Sequence, residues 1–390
     1  MTHRLEHRIE WLDGLRGIAV LMVVWYHAYL VGQWVPDIPA FGRYYNFEEM
    51  PGIGFIGVEL FFFISGFALF YPYARNLFEG RPLDDLPTFG WRRFIKIVPS
   101  YVFILLALVL FGGIAMHSAS ELAWIVAVHL GFVLNLLPVH PFGQINAVLW
   151  SLSVEVQFYL VFPLIARVFK RYPFATWLAA CLIACTYRLI TIPYVDKYPA
   201  LLPQLPAYID LFAAGMFAAY WCVRFRVQFK PARWVTYAAT LSALLGVFLT
   251  FVMLGALWAS RMHPDWRENW SILGRFGLSL TFIAIALGST FGASWWRKAL
   301  GNPVLVFFSI ISYNVYLWHH FIFVMMSRSL GAIMAPLPLT LAITLGGFGF
   351  GAFFTYFLER PLLRLDPPWK RDRPEPALVP VHVEGQRPGA

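Results

Sequence analysis

Charged residues are scarce in this sequence. Asp, Glu, Lys and Arg make up 13% of its 390 residues, whereas 59% are hydrophobic. Soluble domains carry about a quarter charged residues, so this share leaves too little polar surface to coat a globule. Apolar runs of about 20 residues, long enough to cross a bilayer, recur along the whole chain. The composition therefore predicts an integral membrane protein.

Cysteine is rarer still. Cys181, Cys185 and Cys222 all lie in apolar stretches. Cys181 and Cys185 share a helix face, which is one arrangement for a metal pair. No third or fourth ligand stands nearby, however, and structural metal sites usually need four. We therefore expect buried free thiols and no bound metal.

The N-terminus lacks the small-residue cleavage site of a signal peptide. It reads MTHRLEHRIEWLDGLRG, which is basic and precedes an apolar run, so we expect a cytoplasmic start. The net charge of +9 does not indicate nucleic acid as a partner. In a membrane protein, Lys and Arg gather on the cytoplasmic connectors and set the orientation of the chain.

Eleven apolar segments are candidates for membrane crossings. The basic connectors satisfy the positive-inside rule only if the segments 121–137 and 149–169 together make one net crossing. The stretch 121–137 is the shortest and contains His129 and Asn135, so it is predicted to be re-entrant or interfacial. The segments run approximately over 12–34, 54–73, 97–115, 121–137, 149–169, 174–191, 204–222, 233–259, 272–292, 303–326 and 335–358.

The predicted fold is an all-α, multi-pass bundle of about ten transmembrane helices. We expect it in the inner (plasma) membrane with both termini in the cytoplasm. The connectors are too short to hold a separate globular domain. We predict one membrane domain over 9–363, followed by a disordered cytoplasmic tail over 364–390 that is rich in Pro and charge.

The first helix carries three ionisable residues where charge is expensive. Arg16 and His27 are eleven residues apart, so they share one helix face with a rise of roughly 16 Å between them. Asp13 lies one turn before Arg16 and is placed to pair with it. Two interpretations remain open: this face is functional, or Arg16 snorkels to the inner surface and His27 is a satisfied structural residue.

The later segment LWSLSVEVQFYLVFP carries polar residues in an otherwise apolar helix. Its Glu155 and Tyr159 are one turn apart. A carboxylate at this depth needs a partner, and His27 or a cytoplasmic arginine is a candidate for that role. The segment is therefore predicted to contribute to a polar cavity.

The segment ISYNVYLWHHF carries a second polar stripe. Ser312, Tyr316 and His319 follow i, i+4, i+7 spacing and are predicted to face one side. His319 and His320 are adjacent, so we expect them to point to different faces. This pattern favours a polar lining over a metal site.

The second helix reads GVELFFFISGFALF and contains one carboxylate, Glu59. Sequence alone favours a helix-start residue at the outer interface, where the helix dipole stabilises negative charge. Ser65 and Gly66 are small, and we expect them to let another helix approach closely.

A basic cluster precedes the third helix in WRRFIKIVPSY. Composition alone favours a role for Arg92, Arg93 and Lys96 in orientation or in contact with anionic lipid. Guanidinium groups beside an ammonium also suit a ligand rich in phosphate.

Six elements occur in order over about residues 9–363. They are LDGLRGIAVLMVVWYH, GVELFFFISGF, RRFIKIVPSY, WSLSVEVQFYLVFP, ISYNVYLWHH and FLERP. Together they resemble the motifs of the acyltransferase-3 family, which opens with an Arg and a His separated by ten residues on the first helix. The sequence departs from the family pattern at Glu59, where Asp is more common, and at Lys96, where the Arg-x-x-Arg loop of the family has its second arginine.

The resemblance implies a membrane enzyme that moves an acyl group, most often acetyl, from cytoplasmic acyl-CoA. The acceptor is usually a hydroxyl of a surface or secreted carbohydrate, and occasionally a lipid or a small molecule. Acyl-CoA is then the donor substrate, no metal takes part, and membrane lipids are the surroundings. Many family members carry a fused SGNH-type extracytoplasmic domain. This chain ends soon after its last helix, so a stand-alone form is expected.

The resemblance also implies roles for individual residues. The basic residues Arg92, Arg93 and Lys96 attract the phosphates of CoA at the inner surface. Arg16 holds the thioester end or a phosphate, and His27 acts as general base or accepts the acyl group transiently. Glu155 is the third predicted catalytic residue, and with Tyr159 it orients the imidazole or the acceptor. The supporting residues of the cavity are Asp13, Tyr159, Ser312, Tyr316 and His319.

Two other functions remain open from the sequence. One is a secondary transporter in which His27 and Glu155 form a proton relay, and the other is an exporter of an acylated glycan. An acyl-CoA site accounts more economically for the basic loop at 92–96.

Overall fold

The structure, a computed structural model, describes residues 9–40, 43–112, 118–136, 146–229, 232–261, 263 and 269–371. Helices form nearly all of this part of the chain. They are α1 (Glu10–Gly32), α2 (Gly57–Glu79), α3 (Leu86–Phe111), α4 (Ala119–Leu130), α5 (Leu149–Arg171), α6 (Pro173–Thr191), α7 (Ile209–Gln228), α8 (Arg233–Ser260), α9 (Arg275–Phe291), α10 (Ser294–Leu300), α11 (Pro303–Leu330) and α12 (Pro336–Phe354).

Short elements join these helices. The strands β1 (Asp37–Ala40) and β2 (Arg43–Asn46) pair antiparallel between α1 and α2, and this small hairpin was not predicted. The remaining elements are single helical turns. They are Glu49–Gly52, Gly54–Ile56, Leu134–Leu136, Ile192–Tyr194, Pro199–Leu201, Leu205–Ala207, Trp270–Gly274, Thr355–Glu359, Arg360–Leu362 and Pro368–Arg371.

Nine helices within the described residues are long and apolar enough to cross a membrane. They correspond to α1, α2, α3, α5, α6, α8, α9, α11 and α12. Helix α7 has 20 residues, carries Asp210 in its first turn and Arg226 in its last, and has most of its side chains buried within the bundle. A helix that other helices surround does not need an apolar surface toward lipid. The predicted polytopic helical bundle is confirmed.

Helix α7 packs most extensively against α2. At Gly66 of α2, an added Cβ would lie 2.0 Å from the Phe212 carbonyl oxygen. The phenylalanine rings of this interface are fully or almost fully buried, with Phe63 and Phe212 both 0% exposed. The prediction that Gly66 allows close approach of another helix is therefore correct.

Local sequence signals define several helix ends. Asp85 caps α3 by accepting a hydrogen bond from the Thr88 amide at 3.0 Å. Asn302 caps α11 by accepting from two backbone amides at 3.0 Å, and Pro303 follows at the first helical position. Helix α2 ends at Gly80, whose φ of 67° is the left-handed conformation that glycine adopts readily.

The basic connectors meet at one end of the bundle. Lys170 at the end of α5 donates to Asn76 Oδ1 near the end of α2 at 3.0 Å. Arg226 at the end of α7 donates to the Tyr71 hydroxyl at 3.0 Å. The beginning of α1 points to this end too, because α1 runs antiparallel to α2: Gly57 at the start of α2 lies against Ala19, whereas Phe67 further along packs edge-on against the Trp11 ring, 5.3 Å between centroids. The N-terminus and these connectors therefore share one end.

Other expectations can be placed on the fold. The segment 121–137 contains the short helix α4 and a turn, and its His129 and Asn135 are buried. Cys181 and Cys222 are buried free thiols, as expected, whereas Cys185 is half-buried. The domain limits 9–363 and 364–390 stay predictions. The turn Pro368–Arg371 lies within the predicted tail, and residues 372–390 are outside the described residues.

Candidate active site

A polar cavity of about 160 Å³ lies among α1, α2, α3, α5 and α11. Its charged and hydroxyl-bearing side chains come from all five helices. The lining residues are Arg16, Val58, Phe61, Phe62, Ser65, Ala68, Leu69, Arg93, Lys96, Ser151, Leu152, Glu155, Tyr159, Ser309, Ser312, Tyr313 and Tyr316. Seven predicted site residues are thus brought together, namely Arg16, Arg93, Lys96, Glu155, Tyr159, Ser312 and Tyr316.

Three cations lie at one end of this cavity. The Arg93 guanidinium carbon is 5.6 Å from the centroid of the Tyr159 ring, and Lys96 Nζ is 5.1 Å from that of Tyr313. Arg16 enters from α1 and also lines the cavity. Within the described ranges, neither Arg16 nor Arg93 has an ion-pair partner. Two unpaired guanidinium groups in a membrane cavity favour binding of an anion.

The predicted pairing of Asp13 with Arg16 is therefore not formed. Asp13 Oδ1 instead accepts a hydrogen bond from Ser309 Oγ on α11 at 3.3 Å. Asp13 thus contacts a residue of the cavity wall without lining the cavity itself.

Arg92 lies apart from the cavity. Its Nη1 is 2.5 Å from Asp84 Oδ2, and its side chain is 61% exposed. Neighbouring residues of a helix point to different faces, which separates Arg92 from Arg93. The three basic residues that the sequence grouped together therefore occupy different environments.

Lys96 is held by a buried carboxylate that the sequence analysis did not select. Its ammonium pairs with Glu359, which is 3% exposed. The other Glu359 oxygen accepts from Asn314 Nδ2 at 2.6 Å, and Asn314 also donates to Thr355 Oγ1 at 3.1 Å. Glu359 lies in the quoted FLERP element, which was the available signal. Lys96 is thus fixed in the cavity wall.

Glu155 lies in the middle of the cavity. Ser65 Oγ donates to its Oε1 at 2.5 Å, and the Tyr159 hydroxyl donates to the same oxygen. Among the described residues, the hydrogen-bond partners of this carboxylate are these two hydroxyls and not His27 or an arginine. The polar stripe of α5 is thus tied to α2.

Ser151 and Tyr316 also line the cavity. The hydroxyl oxygens of these residues are 2.5 Å apart, which ties α5 to α11. Ser312, one turn earlier on α11, donates to the Ser309 carbonyl oxygen at 2.8 Å. From Ser309, which contacts the basic end, to Tyr316 the helix rises by roughly 10 Å.

Three imidazoles meet one turn beyond Tyr316. The centroids of the His319 and His320 rings are each 5.0 Å from the His27 centroid. His319 Nε2 lies 3.1 Å from His27 Nδ1. His319 and His320 are adjacent in sequence and were expected to point to different faces of α11. Both rings nevertheless contact His27. None of the three lines the cavity volume itself.

Two buried ion pairs were missed by the sequence analysis. Arg188 and Asp210 are both fully buried and form two parallel hydrogen bonds of 2.8 and 2.7 Å. Arg275 Nε donates to Glu59 Oε1 at 2.8 Å. Glu59 lies in the first turn of α2, as predicted, but it is 3% exposed, and its pairing with Arg275 was not expected.

A sequence signal for these pairs was present. Arg188, Asp210 and Arg275 are each the only charged residue of their apolar segment. A lone charge in a spanning helix needs a partner, and three such segments together indicate interhelical pairs. The signal does not say which charges pair.

Comparison with known proteins supplies the family. The acyltransferase-3 model, described as an acyltransferase domain, matches residues 9–358. The chain belongs to the acyltransferase-3 family. The resemblance found in the sequence is thereby confirmed.

Named relatives of this acyltransferase-3 chain are bacterial. A predicted O-acetyltransferase of Staphylococcus aureus (strain COL) is 26% identical over 333 residues, covering 80% of this chain and 50% of the relative. A predicted membrane-bound transacylase, BcsY, of Komagataeibacter xylinus is 26% identical over 334 residues, covering 80% and 72%. The O-acetyltransferase OatA of Staphylococcus aureus (strain NCTC 8325 / PS 47) is 27% identical over 168 residues, covering 40% and 24%. The chain spans about half the length of the first relative. No solved structure matches it.

Proposed function

We propose that this protein transfers an acyl group, acetyl in the first instance, from cytoplasmic acyl-CoA to a hydroxyl of a surface or secreted carbohydrate or glycolipid. One observation carries the proposal: α1 places Arg16, which has no ion-pair partner among the described residues, in a cationic cavity and His27 about three turns further along the same helix. The names of the O-acetyltransferase relatives support the transfer of acetyl to oxygen.

The basic end of the cavity is the proposed donor site. Arg16 and Arg93 offer guanidinium groups without a carboxylate partner in the described part of the chain, and Lys96, which pairs with Glu359, lines the cavity beside them. Arg92, more exposed, adds to the attraction of phosphates from solution. A cavity of about 160 Å³ is smaller than the roughly 300–1,000 Å³ that enclose a drug-sized ligand. The acyl-thioester end therefore enters, and the nucleotide stays at the mouth.

His27 is the proposed reactive residue. In direct transfer, its Nε2 takes the proton of the acceptor hydroxyl while the hydroxyl oxygen bonds to the acyl carbon. The carbon–sulfur bond breaks, and the proton passes from His27 to the CoA sulfur. In a relay, Nε2 itself bonds to the acyl carbon while the carbon–sulfur bond breaks and CoA leaves as the thiolate. The acceptor hydroxyl oxygen then bonds to the acyl carbon while the carbon–Nε2 bond breaks, and the hydroxyl proton passes to the thiolate. A positioned base contributes about 10²- to 10⁴-fold to the rate.

Glu155 and Tyr159 have a supporting role in this proposal. Their hydrogen-bonded group lines the cavity that the acyl group is proposed to enter. Ser312, Tyr316 and Asp13 maintain the wall on the α1 and α11 side.

The proposed orientation places the basic end of the bundle in the cytoplasm. Lys170 and Arg226 lie at the end that also holds the beginning of α1. Under the positive-inside rule this arrangement supports cytoplasmic termini in the inner (plasma) membrane. The donor site then opens toward the compartment that contains acyl-CoA, and the histidines lie toward the outer leaflet.

The test uses purified protein in detergent with acetyl-CoA and an acceptor glycan or glycolipid from the host. We expect acceptor-dependent release of free CoA, followed with a thiol-reactive dye, and none from His27→Ala. A transporter has no second compartment in detergent and cannot show net turnover there. The proposal fails if no host acceptor supports turnover while proteoliposomes carry out proton-driven solute uptake.

A further inference from the structure

His319 is the side chain bonded to His27. It comes from α11, is completely buried, and places its Nε2 3.1 Å from His27 Nδ1. We propose that His319 is a positioning residue, which holds His27 with a proton on Nδ1 and a bare Nε2 and then shares the positive charge when Nε2 is protonated. This inference rests on the proposed role of His27.

The protonation state of His319 follows from its own backbone contact. Its Nδ1 lies 2.9 Å from the Val315 carbonyl oxygen. A carbonyl oxygen only accepts hydrogen bonds, so Nδ1 carries the proton. In a neutral imidazole the other nitrogen is then an acceptor. His319 Nε2 therefore presents a lone pair to His27.

The same reasoning fixes His27. Its Nδ1 has two neighbours, the Val23 carbonyl oxygen at 3.0 Å and His319 Nε2 at 3.1 Å. Both neighbours are acceptors, so His27 Nδ1 carries a proton and shares it between them. The remaining nitrogen, Nε2, is bare. A bare Nε2 is what both routes of the proposed reaction require, because it either takes a proton or bonds to the acyl carbon.

His319 has a further role besides accepting, like the Val23 carbonyl oxygen, a hydrogen bond from His27 Nδ1. When Nε2 of His27 takes the acceptor proton, the ring becomes a cation far from water, where charge is costly. The Nδ1–H bond to His319 then becomes charge-assisted and stronger. The Nδ1 proton can also cross to His319 Nε2, which leaves His27 neutral and His319 cationic, with its Nδ1–H still on Val315. The proton returns when His27 gives its Nε2 proton to the CoA sulfur.

No described carboxylate bonds to the His27 ring. Glu155, which the sequence suggested as a partner of His27, instead accepts hydrogen bonds from the hydroxyls of Ser65 and Tyr159. The position that an aspartate holds behind the histidine of a serine-hydrolase triad is filled here by a second imidazole. A neutral partner avoids placing another permanent charge in the bilayer.

The kinetic test compares three variants in the CoA-release assay. His319→Leu removes the acceptor, and we expect kcat to fall roughly ten- to hundredfold, the range seen when the outer partner of a metal-ligating histidine is removed. KM for acetyl-CoA should not change, since His319 is remote from the cations. His319→Gln retains an acceptor oxygen and should recover part of the loss. His129→Leu is the control, because His129 is also buried and bonds the carbonyl four residues back at 2.7 Å.

A wild-type kcat in His319→Leu would overturn the proposal. So would a rise in KM with unchanged kcat, or no difference between His319→Gln and His319→Leu when both unfold at the wild-type temperature.

The spectroscopic test needs no substrate. Solid-state NMR of ¹⁵N-histidine-labelled protein in lipid should show a nitrogen–nitrogen coupling across the His27–His319 hydrogen bond. The coupling should disappear in His319→Gln and persist in His129→Leu. Its absence from the wild type overturns the pairing. Coupling in a wild type that releases no CoA would refute the proposed reaction and leave the pairing intact.

Discussion

Gly215 of α7 lies directly against the backbone of Phe63 on α2. A Cβ built on Gly215 would come within 2.0 Å of the Phe63 carbonyl oxygen and within 2.7 Å of the Phe67 amide nitrogen. Backbone atoms cannot yield as the end of a flexible side chain can. The two helices therefore contact each other without an intervening side chain.

We expect Gly215→Ala to push α7 away from α2 and to destabilise the protein by more than an exposed substitution would. Overpacking a close contact typically costs about 1–3 kcal/mol. Gly349→Ala on α12 is the matched control, because a Cβ there meets nothing within 4 Å. Unfolding in a graded mixture of mild and denaturing detergent measures both. Equal stability of the two variants would contradict the close contact.

The buried pair Arg188–Asp210 predicts a non-additive effect on stability. Arg188→Leu leaves Asp210 as an uncompensated buried charge, which should cost about 3–5 kcal/mol. The double variant Arg188→Leu/Asp210→Leu removes both charges and should recover much of that loss. Arg297→Leu, an exposed arginine, should change stability by less than about 0.5 kcal/mol. The pair has no energetic coupling if the single and double losses simply add.

The donor site predicts different effects for two neighbouring arginines. Arg93→Ala should weaken acyl-CoA binding by about 1.5–3 kcal/mol, because it removes a charge-assisted hydrogen bond to phosphate. Arg92→Ala should have a smaller effect, since that side chain pairs with Asp84 outside the cavity. Isothermal titration with CoA and with dephospho-CoA measures the affinities and identifies the phosphate that is bound. Unchanged affinity in Arg93→Ala would leave this cluster a role in topology alone.

Lys96→Arg should be tolerated. A guanidinium group can keep the ion pair with Glu359 and add a second hydrogen bond to the same carboxylate, and arginine is the commoner residue in the family. The CoA-release rate of the variant measures this. A loss comparable to that of Arg93→Ala would show that the compact ammonium itself is required.

The orientation can be tested with single cysteines in a cysteine-free background. Lys298→Cys on α10 and Gln33→Cys after α1 are both at exposed positions. A membrane-impermeant thiol reagent should label position 298 only from the cytoplasmic side and position 33 only from the outside. Labelling of both positions from one side would refute the proposed topology.

Most of the helical framework follows from the sequence, because long apolar segments with basic connectors have few alternatives in a bilayer. The segment 149–169 was expected and α5 spans Leu149–Arg171. The hairpin of β1 and β2 was not expected, since nothing in the apolar pattern marks a short strand pair. Gly66 was identified correctly because small residues have one dominant use between membrane helices.

The sequence predicted which residues belong to the site better than it predicted their hydrogen-bond and ion-pair partners. Glu155 was recognised as a carboxylate in need of a partner, but Ser65 lies 90 positions away, and helical spacing carries no information about such pairs. Lys96 was grouped with Arg92 and Arg93 because they are close in sequence. Their partners, Glu359 and Asp84, come from different parts of the chain, and only the packed bundle assigns them.

The two buried ion pairs also differ in when they can form during synthesis. Arg188 and Asp210 are 22 positions apart on consecutive helices, so their charges can neutralise each other as soon as α6 and α7 have been made, and the two helices can enter the bilayer as one unit. Glu59 is 216 positions from Arg275. Its carboxylate cannot pair with Arg275 until seven further helices, α3 to α9, have been translated. The Glu59–Arg275 pair, which links α2 to α9, can therefore form only late in synthesis.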